Sequence, residues 1–121
     1  MTEPAAPIRV LLVEDNDVYR ESLVFLLGTR TGLEVVGAAR DGASALRAYR
    51  EHEPDVVVLD YRLPDVDGAT VAAEIEGAIV FLSASAGRDE YDAASSAGAA
   101  LVRKDEGIDA LVRAVRAAAG R

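Results

Sequence analysis

The chain has 121 residues, half of them apolar, which suits one compact domain and excludes a disordered segment. With 21 acidic side chains against 13 basic ones, the formal charge of -8 argues against direct binding of a nucleic-acid backbone or an anionic membrane and favours cations or cationic partners. The absence of cysteine excludes disulfides and thiolate chemistry, no apolar run reaches the ~18 residues of a membrane span, and the start MTEPAAP has no signal-peptide character, so a cytoplasmic location is expected.

Thr2 to Pro7 read as a flexible lead-in to a domain that fills residues 1–121. Ile8 to Val13, IRVLLV, is almost wholly apolar, as an inner strand of a parallel sheet should be. Glu14, Asp15, Asn16 and Asp17 follow. Asn16 or Asp17 can cap the helix that comes next, which leaves Glu14, nearest the strand end, without a structural reason. The helix runs from about Asp17 to Leu27, with Val18, Tyr19, Ser22, Leu23, Phe25 and Leu26 on its inward face and Gly28 or Gly32 as terminator. Leu33 to Ala39 is a weaker strand containing a glycine, which places it at a sheet edge. Asp41 and Gly42 turn into a helix from about Ala43 to Glu51, with Leu46 and Tyr49 inward and Pro54 closing it. The single histidine, His52, lies in a polar run and reads as solvated; without a second His or a Cys there is no zinc-type cluster.

Val56 to Leu59, VVVL, is a second strand buried on both faces, and Asp60 stands at its end. An Asp in that place commonly caps a turn, and Pro64 with the DVDG segment Asp65 to Gly68 does take the chain out of the sheet. Ala69 to Glu76 makes a short helix with Val71 and Ile75 one turn apart. Ala78 to Leu82 is the fourth strand, ending at Ser83. Gly87 to Ala97 is a helix with little apolar anchoring beyond Tyr91, expected to be loosely held and ended by Gly98. Ala99 to Val102 is a brief fifth strand that delivers Arg103 and Lys104. Ile108, Leu111, Val112 and Val115 mark the last helix, with Asp105 as its expected cap.

Strand and helix thus alternate five times, which with right-handed crossovers gives an α/β doubly wound parallel sheet in the order 2-1-3-4-5 with helices on both faces. Glu14, Asp15 and Asp60 then meet at the switch point, flanked by Ser83 and Lys104. Neighbouring carboxylates repel by about 4 kcal/mol per close pair at an effective dielectric near 20, so the cluster invites a proton or a cation. Oxygen-only ligands select Mg2+ or Mn2+. A metal beside an Asp nucleophile, a hydroxyl and an ammonium suits phosphoryl transfer: Asp60 attacks, Ser83 donates a hydrogen bond, and Lys104 neutralises phosphoryl oxygens.

The motifs VLLVEDN, VVVLDYRLPDVDG, FLSAS and LVRKD, in that order, resemble the receiver domain of two-component response regulators over essentially the whole length. LEVVGAARDG and the step from Lys104 to Asp105 look more like the NarL/FixJ branch than the OmpR branch. The resemblance implies a flavodoxin-like fold and a phospho-acceptor role for Asp60, charged by a sensor histidine kinase in a Mg2+-dependent step. Asp15, Asp60 and the backbone carbonyl of Arg62 would bind the metal, and Glu14 would reach it through water. It also implies no enzymatic activity beyond the domain's own phosphorylation and dephosphorylation, a homodimer on phosphorylation as one form of output, and a C-terminal DNA-binding domain in a longer regulator. A stand-alone or degenerate receiver acting as a protein-interaction module is the alternative. A haloacid-dehalogenase-type phosphatase is disfavoured because its second Asp would fall on Arg62. A calcium loop at DVDG is disfavoured because its first ligand would fall on Leu63. Three departures stand out: Leu101 where many receivers have Tyr or Phe, a shortened stretch from Asp60 to Ser83, and a shortened one from Gly98 to Lys104. They lead to the expectation that phosphorylation is retained while signal propagation through the fourth helix and fifth strand is altered.

Overall fold

The computed structural model describes residues 6–85 and 87–120, so most of the expected lead-in lies outside the described residues. Five parallel strands, β1 (Ile8–Val13), β2 (Leu33–Ala39), β3 (Val56–Asp60), β4 (Ala78–Ser83) and β5 (Ala100–Arg103), form one sheet in the order β2-β1-β3-β4-β5. The helices between and after them are α1 (Asp17–Gly28), α2 (Gly42–His52), α3 (Gly68–Ala72), α4 (Arg88–Ala97) and α5 (Ile108–Ala118). The α/β doubly wound order read from the sequence is the observed one.

The alternation of side chains along the strands splits the core in two. Val10, Leu12, Val56, Val58, Val80, Leu82 and Val102 face α1 and α5, meeting Leu23, Leu27, Leu111, Val112 and Val115. Leu11, Val13, Val57, Leu59, Ile79 and Phe81 face the other way, onto Ala45, Val71, Ile75 and Ala94. β3 is buried at every position, as its unbroken apolar run requires. β2 is an edge strand, and its register against β1 slips between Val10 and Leu11, where Val35 and Gly37 are the successive partners. Gly37 sits over the His52 ring, 3.0 Å from where a Cβ would be, so His52 is half-buried rather than solvated.

Several local expectations are corrected. Of the expected inward face of α1, Tyr19 and Leu23 pack onto the core together with Leu27, while Val18 and Phe25 are 75% and 70% exposed. The stripe that starts at Tyr19 has the i, i+4, i+8 spacing, and the expected face was broader than it. α1 ends at Gly28, and the N–H of Thr29 after it reaches the last carbonyls, while Gly32, at φ 81°, makes the turn into β2. α2 stops at Glu53, which adopts the left-handed conformation (φ 46°) before Pro54. α3 is shorter than expected, with a turn carrying Ile75 into the core. Tyr91 does not anchor α4; Glu90 and Ala94 are the buried positions there. Asp105 lies in a short 3-10 turn, Lys104–Glu106, and the residue preceding α5 is Gly107 at φ 87°. Among the described residues no helix is long and apolar enough to cross a membrane.

Candidate functional site

Parallel strands aim all their C-terminal ends at one edge, and the switch between β1 and β3 opens a crevice there. β1 ends in Glu14 and Asp15, β3 in Asp60, β4 in Ser83, and β5 runs into Lys104. Glu14, Asp60 and Ser83 are buried, Asp15 is exposed, and Lys104 is half-buried. Asp15, Asp60, Arg62, Ser83, Ala84, Ser85 and Lys104 line a cavity of about 240 Å³. The structure therefore brings every candidate residue from the sequence to one place.

Lys104 organises the cluster. Its ammonium donates to Glu14 Oε1 at 2.9 Å and to Asp60 Oδ2 at 3.2 Å, and lies 4.9 Å from the centre of the Tyr19 ring. Burial works against the charged lysine, but Glu14 and Asp60 outweigh it and hold its pKa above the usual value. Burial pushes the Glu14 carboxyl up to about 7, the Asp60 carboxylate adding to the rise and Lys104 opposing it. Glu14 Oε2 is buried with no hydrogen-bond partner. Asp60 Oδ1 accepts the Arg62 N–H at 3.3 Å, and the Ser83 hydroxyl donates to the Ser85 carbonyl.

The DVDG turn that follows β3 holds Asp60 in place. Asp65 accepts the N–H groups of Gly42 (2.8 Å) and Ala43 (3.1 Å) at the start of α2, and Asp67 accepts Thr70 N–H at 2.9 Å to cap α3. Both carboxylates accept backbone donors. Gly68 donates its N–H to the Tyr61 carbonyl, and a Cβ there would stand 2.8 Å from the Asp60 carbonyl oxygen. Only glycine lets the turn fold back so closely.

Glu14, Asp15 and Asp60 each offer a carboxylate oxygen within 4.8 Å of the others. Three hard oxygens with one buried and unpartnered fit a small divalent cation. Two neighbours escaped the sequence reading. Tyr19 lies one turn into α1, where a helix starting at the strand end returns over it, so its spacing from Asp15 was a usable signal. Glu90, buried in α4, caps Gly87 three positions earlier, but its pairing with Arg62, 28 positions away, has no local signal.

Residues 10–116 match the family described as the response regulator receiver domain. The chain belongs to that family. This receiver is 38% identical over 89% of its length to the probable transcriptional regulatory protein NarL of Mycobacterium tuberculosis, of which the match covers 53%. It is 37% identical over 98% of its length to the transcriptional regulatory protein PdtaR of the same organism, covering 60% of that protein. The receiver thus spans about half the length of these curated relatives. Its structure superimposes on the signal receiver domain of the M. tuberculosis response regulator NarL with a TM-score of 0.87 at 36% identity, covering 97% of this chain and 100% of that one. A LuxR-family two-component response regulator from Aurantimonas gives a TM-score of 0.88 at 33% identity, covering 96% and 88%. The NarL-like branch read from the sequence agrees with the similarity to NarL and to the LuxR-family regulator.

Proposed function

We propose that this receiver accepts a phosphoryl group on Asp60 from the phosphohistidine of a sensor histidine kinase, with Mg2+ (or Mn2+) bound by Asp15, Asp60 and the Arg62 carbonyl and approached by Glu14. The observation that carries the reading is the Lys104 ammonium set between two buried carboxylates at the floor of an open cavity. Lys104 holds the Asp60 carboxylate in place, and Asp60 uses a carboxylate oxygen to form the new P–O bond as the P–N bond to the donor imidazole breaks. The imidazole leaves with the electron pair of that bond and takes up a proton. When bound, the divalent ion neutralises phosphoryl oxygens and so lowers the barrier. The Ser83 hydroxyl leaves the Ser85 carbonyl to donate to a phosphoryl oxygen, and Lys104 exchanges Asp60 for the same group.

Similarity to transcriptional regulatory proteins roughly twice its length supports a place for this receiver in a longer cytoplasmic regulator, with phosphorylation as the input. Homodimerisation through α1 and α5, or through the α4 to α5 face, is one form its output can take, and sedimentation with and without beryllofluoride tests it. Incubation with acetyl phosphate and Mg2+, followed by intact-mass measurement, tests the chemistry. One phosphoryl group on the wild type and none on Asp60→Asn supports it. An unmodified wild type favours an interaction module instead.

A further inference from the structure

α4 is poorly anchored by apolar contacts: Ala94 is its buried apolar residue, and Tyr91 is 52% exposed. In their place the helix buries a carboxylate. Glu90 has 4% of its side chain exposed, and a carboxyl group buried to that degree needs hydrogen-bond partners for its oxygens. Oε2 accepts the Gly87 N–H at 3.0 Å, closing the first turn of α4 on itself. Oε1 accepts from Arg62 Nη2 at 3.1 Å. Arg62 is otherwise a surface residue, 76% exposed, with its guanidinium 5.8 Å from the centre of the Tyr61 ring. Its backbone N–H reaches Asp60 Oδ1, and it lines the cavity over Asp60. One side-chain pair thus joins the residue two positions beyond the acceptor aspartate to the first turn of α4. Leu101, half-buried, offers no aromatic ring to carry that connection from β5.

We propose that Glu90 is a positioning residue that couples the Asp60 pocket to α4 through Arg62. This rests on the phospho-acceptor reading above. When an anion occupies the pocket, the Arg62 backbone moves with Asp60 and its guanidinium faces a second, stronger anionic partner. Glu90 then loses part of its charge partner and redistributes its hydrogen bonding to Gly87. The start of α4 registers the event in this way.

The test is amide NMR with beryllofluoride and Mg2+ as the pocket probe, following Tyr61 and Ala84 beside the site and Gly87 at α4. In the wild type all three shift. In Glu90→Gln, which keeps the size and the Gly87 acceptor but removes the charge, Tyr61 and Ala84 still shift while the Gly87 response falls about twofold or more. Arg62→Ala gives the same fall, and the double variant adds nothing further, the signature of one shared interaction. A Gly87 response in Glu90→Gln equal to wild type, with Tyr61 and Ala84 shifting, overturns the coupling and leaves the phospho-acceptor reading standing. No shift at Tyr61 and Ala84 in the wild type overturns both.

Discussion

Replacing Lys104 by Met removes the cation that two buried carboxylates share. At an effective dielectric near 20, its contacts with Glu14 (2.9 Å) and Asp60 (3.2 Å) are each worth about 5 to 6 kcal/mol gross, and the carboxylates left behind, with oxygens within 4.8 Å of each other, repel by about 3.5 kcal/mol or more. Much of the attraction is offset by the desolvation that the ammonium no longer suffers, and breaking a buried pair costs about 3 to 5 kcal/mol in practice. Lys104 keeps 24% of its side chain in solvent, which brings the expectation down to about 2 to 3 kcal/mol at pH 8. The loss depends on pH with a definite sign. Glu14 has a folded-state pKa raised to about 7, so the native state binds more protons than the unfolded one, and stability falls as pH rises through that value. Removing Lys104 raises the Glu14 pKa further, so the deficit of the variant is smaller at pH 6 than at pH 8. Urea unfolding followed by far-ultraviolet circular dichroism at the two pH values measures it. A deficit below about 0.5 kcal/mol at pH 8, the scale of a surface ion pair, or equal deficits at the two pH values, refutes the reasoning.

Gly68→Ala forces a Cβ to within 2.8 Å of the Asp60 carbonyl and 2.9 Å of Tyr61 Cα, and is expected to destabilise the fold by about 2 kcal/mol and slow phosphorylation by acetyl phosphate. Leu27→Ala empties a fully buried site and costs about 2 to 5 kcal/mol in thermal or urea unfolding. Phe25→Ala on the outer face of the same helix stays within about 0.5 kcal/mol of wild type. Asp65 and Asp41 have pKa values below the usual carboxylate range, Asp65 through the Gly42 N–H first and Asp41 through the Ser44 hydroxyl first. Their contribution is present above the unfolded value near 4 and is lost as pH falls through the folded values, so an acid titration of Asp65→Ala shows a shallower loss of stability below pH 4 than wild type.

The sheet order, the strands and the convergence of Glu14, Asp15, Asp60, Ser83 and Lys104 were legible because buried parallel strands write unbroken apolar runs and their polar ends follow at once. α1 was less legible. Val18, Phe25 and Leu26 are as apolar as Leu23 and Leu27, and composition alone does not rotate a helix whose outer face is also apolar. Asp105 looked like a cap because Gly107, which precedes α5 with a positive φ, has no side chain to advertise the role. Glu90 was invisible as a buried group, since its partner Arg62 is supplied by tertiary structure.

The central claim is that Asp60 is the group that carries phosphate. Borohydride reduction after treatment with acetyl phosphate and Mg2+ converts an acyl phosphate to the corresponding alcohol, and peptide mapping by mass spectrometry locates it. The account predicts homoserine at position 60, and none when Mg2+ is withheld. Reduction at Asp15 or Glu14 instead, or at no residue in the Mg2+-treated protein, contradicts it.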